Sequence, residues 1–271
     1  MAAPPLKLPL DRFLLQPLPR LETPAPDKPP LNIKRTSKSY SYRDIRGLNP
    51  WPTFITDAIA AVTNFDGADF SQVLVEDPVR SGSPNPVIVE EDSLRAYILD
   101  VIVSRIRRAL RSTWGSAEID NLQGDFTAVS LGHGSLSVYL NKHKPDLAYF
   151  EVDAETKTGP NRLPGNVKPS WKWDSTMAID PDDDMQEEYK QAISQVYYYI
   201  RQHGARFGYI LTDRELVVFR AVRRGHLDVS AAIPWAGMQV PGHGSITIPL
   251  ALWYLGMLAS TNGGAEPWTY P

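Results

Sequence analysis

Two stretches of helical periodicity, with short apolar runs between and after them, constrain this chain more than any other feature. Across 91–114, Leu94, Ile98, Val101, Ile102, Ile106, Ala109 and Leu110 recur at three- and four-residue steps, the spacing of a helix that buries one face. Across 185–203, Tyr189, Ala192, Ile193, Val196, Tyr197 and Ile200 repeat that pattern until Gly204 stops it. Runs at 126–131, 136–140, 147–152 and 166–173 read as strands, the first two joined by a Gly132-His133-Gly134 turn. Apolar runs at 207–211 and 216–221 read as a hairpin, and 250–258 as a covering helix. This order predicts an α/β fold, a mixed β-sheet flanked by helices.

Proline sets the expected domain limits. Nine of the 24 prolines fall within the first 30 residues, where missing amides and fixed φ oppose both helix and central strand. Residues 1–48 are therefore expected to form an extended arm, 49–265 a single domain and 266–271 a tail. Proline, Asp11 and Arg12 interrupt the first apolar stretch, unlike a signal peptide. The longest later apolar run, 246–259, is about 14 residues, against roughly 20 for a membrane span. These features predict a soluble, cytoplasmic protein with no membrane partner.

The chain has no cysteine, which removes disulfides, thiolate zinc sites and a cysteine nucleophile together. Its five histidines (133, 143, 203, 226 and 243) lack metalloprotease spacing. The formal charge of −3 does not advertise a nucleic-acid binder, but the cations cluster. Arg105, Arg107, Arg108 and Arg111 share one predicted helix, Lys142 and Lys144 precede a strand, and Arg220, Arg223 and Arg224 close another. Such patches can neutralise phosphates locally, or simply be solvated faces with apolar stems.

The polar residues between 144 and 199 carry the chemistry. Lys144-Pro145-Asp146 opens an apolar strand, and Gly165-Asn166-Val167-Lys168 follows on another. This arrangement resembles nucleases of the PD-(D/E)xK type, in which an acid after proline and a second acid two residues before lysine hold Mg²⁺. Here Asn166 occupies the second position, and a neutral amide weakens a hard-cation site. A second acid-x-lysine match, Glu155-Thr156-Lys157, precedes glycine and proline and reads as a loop.

Asp183, Asp184 and Glu187 can project together from the first turn of the second helix. Three such acids call for a cation among them, or are simply stabilised by the helix dipole at roughly 0.3–1 kcal/mol each. Gln191, Gln195 and Tyr199 continue the stripe. Ser170 and Trp171, with Trp173 nearby, are candidates for substrate contact or, for the tryptophans, for the core. The repeated Gly-His-Gly-Ser at 132–135 and 242–245 reads as turns or as a source of oxyanion-binding amides.

The Lys144-Pro145-Asp146 strand, the segment Lys168-Pro169-Ser170-Trp171-Lys172-Trp173 and above all Asp183-Asp184-x-x-Glu187 resemble the fungal arginine-containing cyclodipeptide synthases, over about 145–260. The resemblance implies a restriction-endonuclease-like core that joins arginine to a second amino acid as a cyclic dipeptide. Its partners would be arginyl-tRNA and a second aminoacyl-tRNA, with no metal, ATP or other cofactor. Asp183, Asp184, Glu187, Lys168 and Asp146 would be catalytic. Gln191, Gln195, Tyr199, Trp171 and Ser170 would bind substrate, and Arg105, Arg108, Lys142, Lys144 and Lys172 would bind tRNA. The rival expectations are a Mg²⁺-dependent nuclease and an inactive nucleic-acid-binding module of the same fold.

Overall fold

The computed structural model describes residues 6–23, 37, 39–77, 87–138, 140 and 143–270. Strand β1 (Leu6–Pro9) leads into helix α1 (Leu10–Leu15), and β2 (Gly47–Pro50) into α2 (Phe54–Ala61). After β3 (Leu74–Asp77), α3 (Glu91–Tyr97) runs through a π-helical stretch, Ile98–Val103, into α4 (Ser104–Trp114). Then come β4 (Val129–His133), β5 (Leu147–Glu151), β6 (Leu163–Val167), α5 (Asp183–His203), β7 (Phe207–Leu211), β8 (Glu215–Arg223) and β9 (His226–Val229). Short strands β10 (Ile233–Pro234), β11 (Met238–Val240) and β12 (Gly244–Ile246) precede α6 (Ile248–Ser260).

The main sheet runs in the order β2-β9-β8-β7-β6-β5-β4, with β10 beside β8. It is mixed: β6 with β7 and β2 with β9 are parallel, and the other neighbours are antiparallel. A parallel neighbour needs a crossover, and α5 supplies it between β6 and β7. The helix starts beyond the C-terminal end of β6 and packs back across one face, where Trp173, Tyr189, Ile193, Ile200, Ile210 and Phe219 form one core cluster. Gly208 admits this contact, since a Cβ there would lie 2.6 Å from Val196 Cγ1. The opposite face carries the larger cluster, built from α1, α2, α4 and α6. Every residue of α6 is buried, as a helix apolar on all sides requires. It is therefore an internal helix rather than the expected outer cover. Among the described residues, no helix is long and apolar enough to cross a membrane.

Three expectations are corrected. The first residues are not a free arm: β1 pairs with β3, and Leu10, Phe13 and Leu14 are buried against α6. Proline permits this because Pro9 sits immediately before the first helical turn, where no amide is needed. Six of the eight remaining prolines of that region, Pro4, Pro5, Pro24, Pro26, Pro29 and Pro30, lie outside the described residues. Among its described residues the run at 136–140 forms no strand; a 3-10 turn at Gly134–Leu136 takes up its start. A Cβ at Gly134 would fall 1.9 Å from the Pro145 carbonyl, so only glycine fits. The strand expected at 166–173 is instead β6, ending at Val167, with Lys168 already in the turn. At the C-terminus, Trp268 lies under the Arg162 guanidinium at 4.8 Å and Tyr270 N donates to Gly204 O.

Buried His203 closes α5. Its Nδ1 accepts the Asn161 amide at 3.2 Å while Nε2 has no partner, and burial depresses its pKa to about 4. The unfolded chain, with an ordinary histidine, gains a proton first as pH falls. Stability is thus full above about 6.5 and declines toward pH 4, by up to about 3 kcal/mol. Urea denaturation at pH 7 and 4.5 should show a smaller acid loss in His203→Gln than in the native chain. Equal losses in both would remove His203 from the acid sensitivity.

Candidate functional site

The crossover decides which side chains meet. Lys168 emerges directly beyond β6, and the N-terminal half of α5 lies over that strand end, the place where α/β sheets offer a crevice. Within α5, at about 100° per residue, Glu188 stands about 20° from Gln195 whereas Glu187 stands about 80° away. The cavity between these elements, about 220 Å³, is accordingly lined by Lys168, Glu188, Gln191, Gln195, Glu91, Lys172 and Tyr40. Glu188, not Glu187, occupies the acidic position facing Lys168.

Asp146 lies close enough to Lys168 for the two charges to act on one another. Arg95 Nε approaches Asp146 Oδ1 at 2.9 Å, and Val167 N donates to Oδ2 at 2.8 Å. Burial raises the Asp146 pKa against the opposing pull of Arg95. Arg95 also pairs with Glu91, one helical turn back, and with Asp92 at 2.9 Å. Glu91 receives Lys172 Nζ at 3.0 Å. Burial opposes ionisation of Glu91, but the Lys172 hydrogen bond and the charges of Lys168, Arg95 and Lys172 together lower its pKa.

Lys168 itself makes no direct ion pair among the described residues. Burial lowers its pKa, countered by Glu91 and Asp146. Glu188 is the mirror case: burial raises its pKa, Lys168 pulls it back, and Asp184 adds to the rise. Burial thus acts on the two groups in opposite directions, raising the acid and lowering the base.

The amides finish the lining. Asn166 Nδ2 donates to Gln195 Oε1 at 3.0 Å, and Gln195 Nε2 to Tyr199 Oη at 3.3 Å. Tyr199 is buried and its pKa is pushed up to about 12, so its hydroxyl stays protonated. Gln191 Oε1 accepts Tyr42 N at 2.8 Å, leaving Gln191 Nε2 buried without a partner. Tyr40 lines the cavity and lies 5.8 Å from the Tyr198 ring, and Ser39 Oγ lies 3.0 Å from His143 Nε2.

Several expected residues stand elsewhere. Asp183, Asp184 and Glu187 are exposed at the start of α5, where Asp182 supplies the cap by accepting Asp184 N at 2.9 Å. Asp213 holds buried Ser170 through both its amide (2.6 Å) and its hydroxyl (2.8 Å), so this serine fastens a turn. Trp171 packs on the larger core and Trp173 stacks on Tyr189 at 5.5 Å. Arg105 is buried; it donates to the carbonyls of Phe13 and Gln16 and stabilises α1 instead of a phosphate. Arg108 is half-buried, Lys144 exposed and Lys172 committed to Glu91. Lys142 lies outside the described residues. Glu155 and Lys157 occupy an exposed turn.

The donors do not suit the divalent ion of the PD-(D/E)xK pattern. Both Asp146 oxygens are engaged, Asn166 brings an amide, and no group of three acids or histidines able to hold a metal occurs among the described residues. A guanidinium supplies the positive charge at Asp146 instead. The chain matches no protein-family model and no curated protein.

Removing Arg95 leaves the Asp146 carboxylate desolvated and without its cation. Arg95→Leu should lower stability by about 2 kcal/mol, given the partial exposure of the pair. Asp146→Asn in the same chain should recover part of that loss. A double-mutant cycle by chemical denaturation checks this, and strictly additive losses would mean that the two groups are not coupled.

Proposed function

We propose that the chain joins two aminoacyl groups delivered on tRNA into a cyclic dipeptide containing arginine, on a nuclease-like scaffold and without a metal. The observation that carries this reading is the Lys168–Glu188 cavity: an unpaired lysine facing a carboxylate in a space of about 220 Å³. At about 30 Å³ per water, that space accepts roughly seven waters, suited to an amino-acid side chain or amine.

The ester on tRNA is already activated, so the residues need only orient, deprotonate and stabilise charge. Glu188 accepts a proton from the α-ammonium of one aminoacyl group. The freed amine attacks the ester carbonyl of the other, a C–N bond forms, the C–O bond to ribose breaks, and the proton ends on the departing ribose oxygen. A second attack closes the ring and releases the second tRNA. Lys168 faces the developing oxyanion, while Gln191 and Gln195 offer hydrogen bonds to the bound group. Asp184, exposed beside Glu188, extends the acidic surface outward for the guanidinium. Asp146 and Arg95 act as positioning residues.

The purified chain, given arginyl-tRNA and a second charged tRNA, should yield a cyclo-arginyl dipeptide by mass spectrometry. Glu188→Gln should lower the rate at least 100-fold, whereas Glu187→Gln should lower it less than tenfold. Because the Glu188 pKa is raised and its ionised form is the base, activity should rise with pH through that elevated value. Absence of any dipeptide with every charged tRNA would refute the reading. EDTA-sensitive nicking of plasmid or RNA would instead assign a nuclease, and salt-sensitive tRNA binding without turnover an inactive module.

A further inference from the structure

A second cavity lies on the other side of α5. Gln186 and Lys190 line it, and Gln186 stands roughly 180° around the helix from Gln195, so the two cavities are separated by the helix itself. It measures about 750 Å³, within the roughly 300–1,000 Å³ typical of small-ligand sites. One wall is β2 and the other is α5 with the turn carrying Ile179.

Three observations define what this cavity accepts. Its lining is mainly apolar, with Leu48, Ile55 and Tyr189 contributing, and Ile179 stands 85% exposed at the rim. Among the described residues, its charged members are Arg46 and Lys190 alone, with no carboxylate. Neither cation forms an ion pair among the described residues. An apolar space flanked by two unpaired cations is complementary to an anion with an apolar body.

The strand edge decides between a small molecule and a peptide. Gly47 N donates to Gly225 O and Trp51 N to Val229 O, so alternation turns Leu48 and Pro50 away from β9. No strand among the described residues covers that side. Pro50 has no N–H, which leaves Leu48 as the one amide able to pair outward within β2. A peptide adding as a strand needs a longer row of donors.

We propose that this cavity binds a free small organic acid, with its carboxylate between Arg46 and Lys190 and its aliphatic body along Leu48, Ile55 and Ile179. The site is independent of the dipeptide chemistry. Titration calorimetry with octanoate should give a single saturable site. Octanol, equal in length but uncharged, should bind at least tenfold more weakly. Arg46→Gln/Lys190→Gln should reduce octanoate affinity at least tenfold and leave octanol unchanged. Ile179→Glu should weaken both ligands. Circular dichroism melts keep loss of folding separate from loss of binding. The proposal is overturned if octanoate does not saturate, if octanol binds as tightly, or if the double variant binds octanoate unchanged. A dimer in sedimentation that Ile179→Glu converts to monomer would assign the cavity to a second copy of the chain and overturn it equally.

Discussion

The burial of Asp146 at the entrance to β5 is the constraint on which this end of the molecule depends. A carboxylate taken from water needs a cation and hydrogen-bond donors, and it finds them on two other elements: the guanidinium of Arg95 on α3 and the amide of Val167 on β6. That contact clamps a helix to two strands. It also has an electrostatic consequence further along α3. Arg95 brings Glu91 with it, since residues four apart share a helix face, and Glu91 then captures Lys172. Lys168 is left enclosed near three carboxylates but in direct contact with none.

The fold places this network by simple means. The βαβ crossover brings the start of α5 to the end of β6, so the side chains just beyond the strand and those in the first three helical turns face one another. Gly208 sets how closely α5 approaches the sheet, and the apolar α6 fills the other side. The larger core therefore supports the sheet from behind, while the polar cavity opens on the face where the smaller core ends.

Periodicity made α3, α4, α5 and the β7–β8 hairpin legible, because burial of one face imposes a repeat that survives in a single sequence. The run from 91 to 114 is helical throughout, and Gly204 does end α5 in the left-handed conformation. What periodicity cannot carry is partner choice. Arg105 belongs to an arginine cluster that reads as a phosphate patch, yet two carbonyls of α1, distant in sequence, claim it. The proline-rich start concealed α1 for a related reason: six residues are too few for a repeat to register, and their burial comes from α6. At the site, Lys168, Gln191 and Gln195 could be named from the sequence, whereas Glu91, Arg95 and Tyr40 reach it only through tertiary contacts. Glu188 is different. Its angular agreement with Gln195 is present in the spacing, but the more conspicuous Asp183-Asp184-x-x-Glu187 pattern points to carboxylates that stand exposed, whereas Glu188 lines the cavity.

Charge balance explains how such a cavity would work on an amine. Counting Glu91, Asp146 and Glu188 against Lys168, Lys172 and Arg95 gives −3 and +3, a formal sum of zero. A cationic α-ammonium entering a neutral, partly desolvated space is unfavourable unless it gives up its proton. Burial raises the Glu188 pKa and lowers that of Lys168, so both shifts oppose charge in the cavity. On the proposed reading, transfer of the ammonium proton to Glu188 would yield a neutral amine and a neutral acid, and would leave the lysine charge to meet the oxyanion. A divalent ion could polarise the ester but would attract the amine lone pair as well. The positive charge at Asp146 is instead a guanidinium already committed to carboxylates, which on the proposed reading would leave the amine lone pair uncontested.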